Sequence, residues 1–329
     1  MRPILKKDIP KWIDDIGVPK CLLDLAINEA IEKTKENFEK HSKFKMKKKT
    51  KKDLRQTFNF EKYMLNQEGM IPNFKYKGKY IFRKIKKSEK IGNCNYCDSS
   101  ITYHRVLNTF TLNLSYKIQT KANKSKKVGS IDPGLREFVA IYSDNKVCKI
   151  GIESTDHLLK ICKEIDIIDS RLNKGTYYVK NKGEKKKYKV NSKRKKQLRK
   201  AKHRKIRKVK NLKKELHDQT INYICENYSK IIIPPFEIQK MVSKLKSKTA
   251  RSMYNLSFYE FREKLISKAE EKNCKIIIRP EYYTSKTCTK CGNIKNELKM
   301  TDKIYSCKKC DLEIDRNYSG ARNIMLRNN

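Results

Sequence analysis

Ile276-Ile277-Ile278-Arg279-Pro280-Glu281-Tyr282-Tyr283 leads through Cys288-Thr289-Lys290-Cys291 and Cys307-Lys308-Lys309-Cys310 into Asp315-Arg316-Asn317-Tyr318-Ser319-Gly320-Ala321-Arg322-Asn323. This stretch decides the fold. It holds an apolar strand, two CxxC knuckles fifteen residues apart, and an acidic start to a closing helix. Paired knuckles at that spacing predict a four-thiolate zinc ribbon over 284–312, with Cys288, Cys291, Cys307 and Cys310 as closed structural Zn²⁺ ligands. The ribbon is inserted between a strand that ends in an acid, Glu281, and a final motif and helix over 313–329.

Working upstream, Ile231-Ile232-Ile233 is a continuous apolar run, as in a parallel strand buried on both faces. Pro234-Pro235-Phe236-Glu237 ends it. A helix carrying Phe258, Phe261, Leu265, Ile266 and Ala269 joins it to Ile276 as a β-α-β crossover. Further back, Val128-Gly129-Ser130-Ile131-Asp132-Pro133-Gly134, Phe138–Tyr142 and Val147–Ile150 read as three antiparallel strands, the first ending in Asp132. Residues 155–228 read as two helices. The first has Leu158, Ile161, Ile165, Ile168 and Leu172; the second has Ile206, Val209, Leu212, Leu216 and Ile224. The expected order over 128–283 is β-β-β, two helices, β, helix, β.

The region before it is looser. Helical spacing from Val18-Pro19 through Leu23, Ile27, Ile31 and Phe38 predicts a helix, followed by a basic run over 43–55. Residues 57–127 read as β-rich. They include a hairpin at Tyr76–Phe82 around Gly78, and strands at Ile101–Val106 and Thr109–Ile118 about an Asn108 turn. A basic linker, Lys121–Lys127, closes this part. Cys94-Asn95-Tyr96-Cys97 reads first as an ordinary turn, and Cys21, Cys148, Cys162, Cys225 and Cys274 as incidental or core thiols.

The 80 Lys and Arg against 36 Asp and Glu give a formal net charge of +44 over 329 residues. That excess is the electrostatic footprint of a polyanion, nucleic acid first among them. The span from Lys180 to Lys214 holds 20 Lys or Arg and a single acid, Glu184. On an apolar-striped helix pair this forms an outward ridge, with Lys195, Arg199, Arg204, Arg207 and Lys208 as candidate phosphate contacts. No stretch approaches the roughly 20 apolar residues of a membrane span, and no secretory leader is evident. Paired thiols without an export signal point to metal binding in a reducing setting: nucleus, cytoplasm or a viral factory.

Carboxylates gathered at the carboxyl ends of strands in one open sheet suit divalent-ion chemistry. Asp132, Glu281, Glu237 and Asp315 are such acids, and oxygen ligands favour Mg²⁺ or Mn²⁺.

Ser130-Ile131-Asp132-Pro133-Gly134, the ribbon entered by Thr284-Ser285-Lys286-Thr287-Cys288, and Ile314-Asp315-Arg316 with Gly320-Ala321-Arg322-Asn323 resemble the RuvC-type half of the TnpB and Fanzor proteins. These are transposon-associated, RNA-guided DNA endonucleases related to type V CRISPR effectors. Ile233-Pro234-Pro235-Phe236-Glu237-Ile238-Gln239-Lys240-Met241 points to the Fanzor branch. The resemblance is dense from 128 onward and looser over 10–120. It implies an α/β, RNase H-like (RuvC) domain with an inserted zinc ribbon. A partial β-barrel wedge domain would precede it over 57–127, and a remnant of a helical recognition lobe over 1–56. It implies guide RNA and target DNA as partners. It also implies a two-metal site in which Asp132 is the first acid.

Two features depart from that pattern besides a short N-terminal part. Pro234 stands where the bacterial branch has its second acid, which leaves Glu281 as first candidate and Glu237 as rival. Asn317 stands where the third acid belongs, and Ser319 where Asn is usual. Asp315 lies two positions earlier, about 200° round a helix, and cannot simply take over. A neutral Asn weakens ion binding, so reduced cutting is expected. The alternatives are a nuclease-dead nucleic-acid-binding protein or a decaying transposon fragment. A strand-joining transposase has only the shared RNase H-like chemistry behind it.

Overall fold

The computed structural model describes residues 20–41, 50, 52–64, 75–76, 79–80, 97–120, 122–181, 184–189, 191–236, 247–298 and 302–328. Two compact units divide the chain, Met1–Ile118 and Gln119–Asn329. Glu237, Gly78 and Cys94, singled out above, lie outside the described residues.

In the first unit, α1 (Lys20–Lys40) is followed by β1 (Arg55–Phe60), the short hairpin β2 (Lys75–Tyr76) and β3 (Lys79–Tyr80), then β4 (Ser99–His104) and β5 (Thr109–Asn113). The strands pair antiparallel in the order β1-β4-β5. Phe60, Met64 and Ile101 form a small core against which Leu22, Phe58 and Leu112 pack. The strand expected over 109–118 ends at Asn113, and Phe38, placed on the helix stripe, is 63% exposed.

The second unit is built on one five-stranded sheet. Its strands are β6 (Val128–Pro133), β7 (Val139–Ser143), β8 (Lys146–Ile150), β11 (Lys230–Ile233) and β12 (Lys275–Ile278). The spatial order is β12-β11-β6-β7-β8. β6, β7 and β8 run antiparallel, while β11 lies parallel to both β6 and β12. Parallel neighbours need crossovers, and helices supply them. α2 (Ser154–Lys174) and α3 (Ser192–Asn227) lead from β8 to β11. α4 (Ser247–Leu256) and α5 (Phe258–Glu271) lead from β11 to β12. A hairpin, β9 (Thr176–Asn181) and β10 (Glu184–Lys189), stands between α2 and α3, where a direct helix pair was expected. The sequence over 176–179, Thr-Tyr-Tyr-Val, favours a strand, but the lysines around it hide the pattern.

Strand residues alternate between two cores. Ile131, Val139, Ile141, Ile231 and Ile233 face the larger one, shared with Leu158, Ile224, Phe258, Phe261 and Leu265. Tyr142 and Ile232 face the opposite core, which is closed by Ala321, Ile324 and Met325 of α6 (Arg316–Asn328). Ile231, Ile232 and Ile233 are 0% exposed, as a strand covered on both faces requires. β13 (Ile304–Ser306) and β14 (Glu313–Asp315) pair antiparallel in the ribbon. β14 runs past the ribbon end expected at 312 and stops where α6 begins.

Candidate functional site

Asp132 lies near the end of β6, on the face turned toward α6. Ser130, two residues back and therefore on the same face, donates its hydroxyl to the Ala321 carbonyl at 2.6 Å. Gly320 is what lets the Asp132 carboxyl come so close to the helix. A Cβ at that position would sit 2.5 Å from Asp132 Oδ2. Burial pushes the Asp132 carboxyl up to about 8, the charge of Glu281 adds to this, Arg316 draws it back, and Glu137 raises it again. A shielded carboxylate crowded by two others is a place where a cation would relieve repulsion.

The charge of Glu281 acts on this carboxyl from beyond β12. The chain leaves the strand with Arg279 N–H bonded to the Ile233 carbonyl at 2.9 Å. It then turns at Glu281, whose carbonyl accepts from Thr284 Oγ1 at 2.9 Å. Burial raises the Glu281 carboxyl as well. Pro234, just past the end of the strand between them, contributes no acid.

Asp315 is occupied otherwise. Its Oδ1 accepts from the backbone N–H of Asn317 at 2.9 Å and of Tyr318 at 3.1 Å, the geometry of a helix N-cap. Its Oδ2 takes Lys149 Nζ at 2.7 Å. Burial opposes its charge, but the Lys149 hydrogen bond and the two N–H groups outweigh this and hold the carboxyl low. Asn317 does not bond Asp132; its amide donates to Glu137 Oε2 at 2.5 Å.

Glu137 was not anticipated. It follows the Asp132-Pro133-Gly134 turn, in which Gly134 N–H donates to the Phe138 carbonyl at 3.2 Å. A side chain at Gly134 would meet the Glu137 carbonyl at 2.8 Å, so the tight turn depends on glycine. Phe138 turns inward and stacks on Phe258 at 5.1 Å, while Glu137 faces α6. Lys149 Nζ lies 3.4 Å from Glu137 Oε1. The signal that could have revealed it is its place in the turn, just past the Pro-Gly pair that follows a strand-end Asp. Glu137, Lys149, Asp315 and Asn317 line a cleft of about 560 Å³.

The ribbon is closely ordered. Cys288 and Cys310 sulfurs lie 3.6 Å apart, as do those of Cys291 and Cys307. All four ligand atoms fall within 4.8 Å of one another. A tetrahedral ion with Zn–S bonds near 2.3 Å needs sulfurs roughly 3.8 Å apart. Among the described residues this is the only group of three or more potential ligands so tightly gathered. Carboxylates holding two ions about 3.5–4 Å apart would spread further. Tyr305 is buried beneath the sulfurs and donates to the Lys286 carbonyl at 3.1 Å. Asn323 fastens the ribbon's entry to α6, donating to the carbonyls of Thr284 and Thr287 at 2.7 Å each.

On α3, Asn191 accepts from Arg194 N–H at 2.8 Å and starts a 36-residue helix. Lys202 pairs with Asp169 at 2.6 Å, Lys213 with Glu260 at 2.5 Å, and Lys205 with Glu164. Lys195, Arg199, Arg204, Arg207 and Lys208 are all exposed. No helix of the described residues is long and apolar enough to cross a membrane.

Residues 258–324, from α5 through the ribbon into α6, match the family described as Cas12f1-like, TNB domain. A TnpB-like protein of Acanthamoeba polyphaga mimivirus is 30% identical over 62% of this chain and 38% of its own length. A putative transposase of the same virus is 27% identical over 98% of this chain and 67% of its own. The CRISPR-associated endodeoxyribonuclease Cas12f1 of Sulfoacidibacillus thermotolerans is 37% identical over 24% of this chain and 19% of its own. The chain spans about two fifths of the length of the mimiviral TnpB-like relatives it matches.

Proposed function

We propose that this chain, which belongs to the TnpB/Cas12-type family, carries the DNA-cutting part of an RNA-guided endonuclease, with one damaged carboxylate position. The observation that carries the reading is the shielded Asp132 carboxyl, with Glu281 and Glu137 close enough to raise it and Gly320 leaving room beside it. Three antiparallel strands followed by two parallel ones, with α6 over the first, support reading this unit as an RNase H-like (RuvC) domain. Residues 57–127 would be the wedge-like part, and 1–56 the remnant of a recognition lobe.

Asp132 and Glu281 are the residues that would hold Mg²⁺ or Mn²⁺, with the Asn317 carbonyl as a neutral contributor and Glu237 as a second acid to test. Such ions, when bound, supply Lewis-acid and water-activating chemistry for phosphodiester hydrolysis. The protein's part is positioning. β6 and the turn after β12 set the two carboxylates, and α6 packs against them. Cys288, Cys291, Cys307 and Cys310 would hold structural Zn²⁺. Lys195, Arg199, Arg204, Arg207 and Lys208 would lie along guide RNA or target DNA, since base pairing reads sequence and the protein holds backbones.

A second reading has its own support. Asn317 supplies no charge where the resemblance implies a third acid, and this favours a nuclease-dead protein that still binds nucleic acid. One experiment separates the two. The full chain is purified with its flanking transcript and assayed for Mg²⁺-dependent cleavage of matched DNA. Cutting that Asp132→Ala abolishes supports the nuclease. An inert protein that gains cutting through Asn317→Asp is a damaged nuclease. RNA-independent, sequence-indifferent binding with no cutting by either form removes the guided reading.

A further inference from the structure

Resting on that reading of the site, we propose that Glu137 supplies the carboxylate which position 317 lacks, with the Asn317 amide holding it in place. Three observations lead there. First, Glu137 is attached to the position in question: Asn317 Nδ2 reaches its Oε2 at 2.5 Å. An aspartate at 317 would be repelled by Glu137 at that distance, whereas an asparagine donates to it; the two residues suit each other as a pair. Second, Asn317 lies three residues before Gly320 on α6, so the two share a helix face; a Cβ at Gly320 would sit 2.5 Å from Asp132 Oδ2, so the face that holds Glu137 also meets Asp132. Third, Glu137 opens onto the cleft lined by Lys149, Asp315 and Asn317, so an ion and a phosphate can reach it.

The cation beside it completes the arrangement. Lys149 Nζ is 2.7 Å from Asp315 and 3.4 Å from Glu137. Asp315, fixed as the cap of α6, holds Lys149 against Glu137, and the Lys149 ammonium offsets part of the negative charge gathered there. The negative group has moved from the helix to the β6–β7 turn, and the helix keeps a donor that steers it.

Mn²⁺ titration of the full-length, zinc-loaded protein, followed by the spin-resonance signal of free Mn²⁺, tests this without any cutting assay. Zinc content and the far-ultraviolet dichroism spectrum establish that each variant is folded. Glu137→Gln is expected to weaken Mn²⁺ binding at least about tenfold. Adding Asn317→Asp to Glu137→Gln is expected to restore most of it, because the carboxylate returns to the helix and its repelling partner is gone. Asn317→Asp alone is expected to gain less than it does in the double variant. Suppose Asp132→Asn abolishes binding but Glu137→Gln stays within twofold of the native protein. The carboxylate site then stands and Glu137 has no part in it. If Glu137→Gln loses binding and Asn317→Asp does not recover it, Glu137 only supports the turn, and the substitution of one acid for another is wrong. If the native chain binds no Mn²⁺, or Asp132→Asn changes nothing, the site reading fails together with this one.

Discussion

Replacing Gly320 by alanine is a sharp probe of the site because the helix and the carboxylate want opposite outcomes. At an open helical position the change stabilises by about 1 kcal/mol. Here the new Cβ would lie 2.5 Å from Asp132 Oδ2 and 3.2 Å from its Cγ, against 3.4 Å for ordinary contact. Something must move by roughly 0.9 Å. Ala321 is 0% exposed and its carbonyl takes the Ser130 hydroxyl, so α6 is tied to β6 at this point and cannot easily slide. The carboxyl group must turn instead, or the packing must strain by about 1–3 kcal/mol. Either escape displaces Asp132 relative to Glu281. A misplacement near 1 Å costs on the order of 10²-fold in catalysis where geometry is limiting. Gly320→Ala is therefore expected to lose at least about tenfold in Mn²⁺ affinity, with unfolding free energy unchanged or up to about 2 kcal/mol lower. Urea unfolding and Mn²⁺ titration on the same preparation report both. A variant that is about 1 kcal/mol more stable and binds Mn²⁺ within twofold of the native protein would refute the placement of Asp132 against α6.

Other expectations follow from the same geometry. Reversing Arg204, Arg207 and Lys208 to glutamate should weaken duplex DNA binding and flatten the dependence of log K on log salt by about three units, near 0.9 per phosphate contact. Fluorescence anisotropy across a salt series measures this, and an unchanged slope would take α3 out of the interface. Cys307→Ser should lower zinc content from one ion per chain to none, read by elemental analysis. It should also loosen the packing around Tyr305, visible in near-ultraviolet dichroism. His217 is buried, stacks on Phe138 at 5.3 Å and bonds the Leu256 carbonyl at 2.8 Å. Burial pushes its pKa down to about 4. A base with a depressed folded pKa stabilises above its unfolded value near 6.5 and loses that contribution as pH falls toward about 4. The loss amounts to roughly 3 kcal/mol. Urea unfolding at pH 7 and pH 4.5 should show it, and His217→Gln should flatten that slope.

The sequence spells Lys-Ile-Ile-Ile twice, at 230 and at 275, and both copies read correctly as parallel strands. It did not distinguish their places. The first copy is central and 0% exposed at each isoleucine; the second is the edge, with Ile278 43% exposed. Apolar content reports that a strand is buried, while its rank in the sheet depends on neighbours far away in the chain. Asp132 and the cysteines were legible because a strand-end acid and a thiol spacing carry chemistry by themselves. Glu137 was not, because its position is set by a Pro-Gly turn and its partner is 180 residues on. Asp315 was legible as an acid but not as a cap committed to Lys149. The hairpin over 176–189 escaped because lysines obscure the alternation that marks a strand.

β14 ends at Asp315 and α6 starts at Arg316, with no spare residue between them. The finger that carries the four cysteines and the helix that faces Asp132 are thus joined without a linker. Because α6 is in turn pinned to β6 by the Ser130–Ala321 hydrogen bond, the thiol finger is anchored to the central sheet through the same helix that faces Asp132.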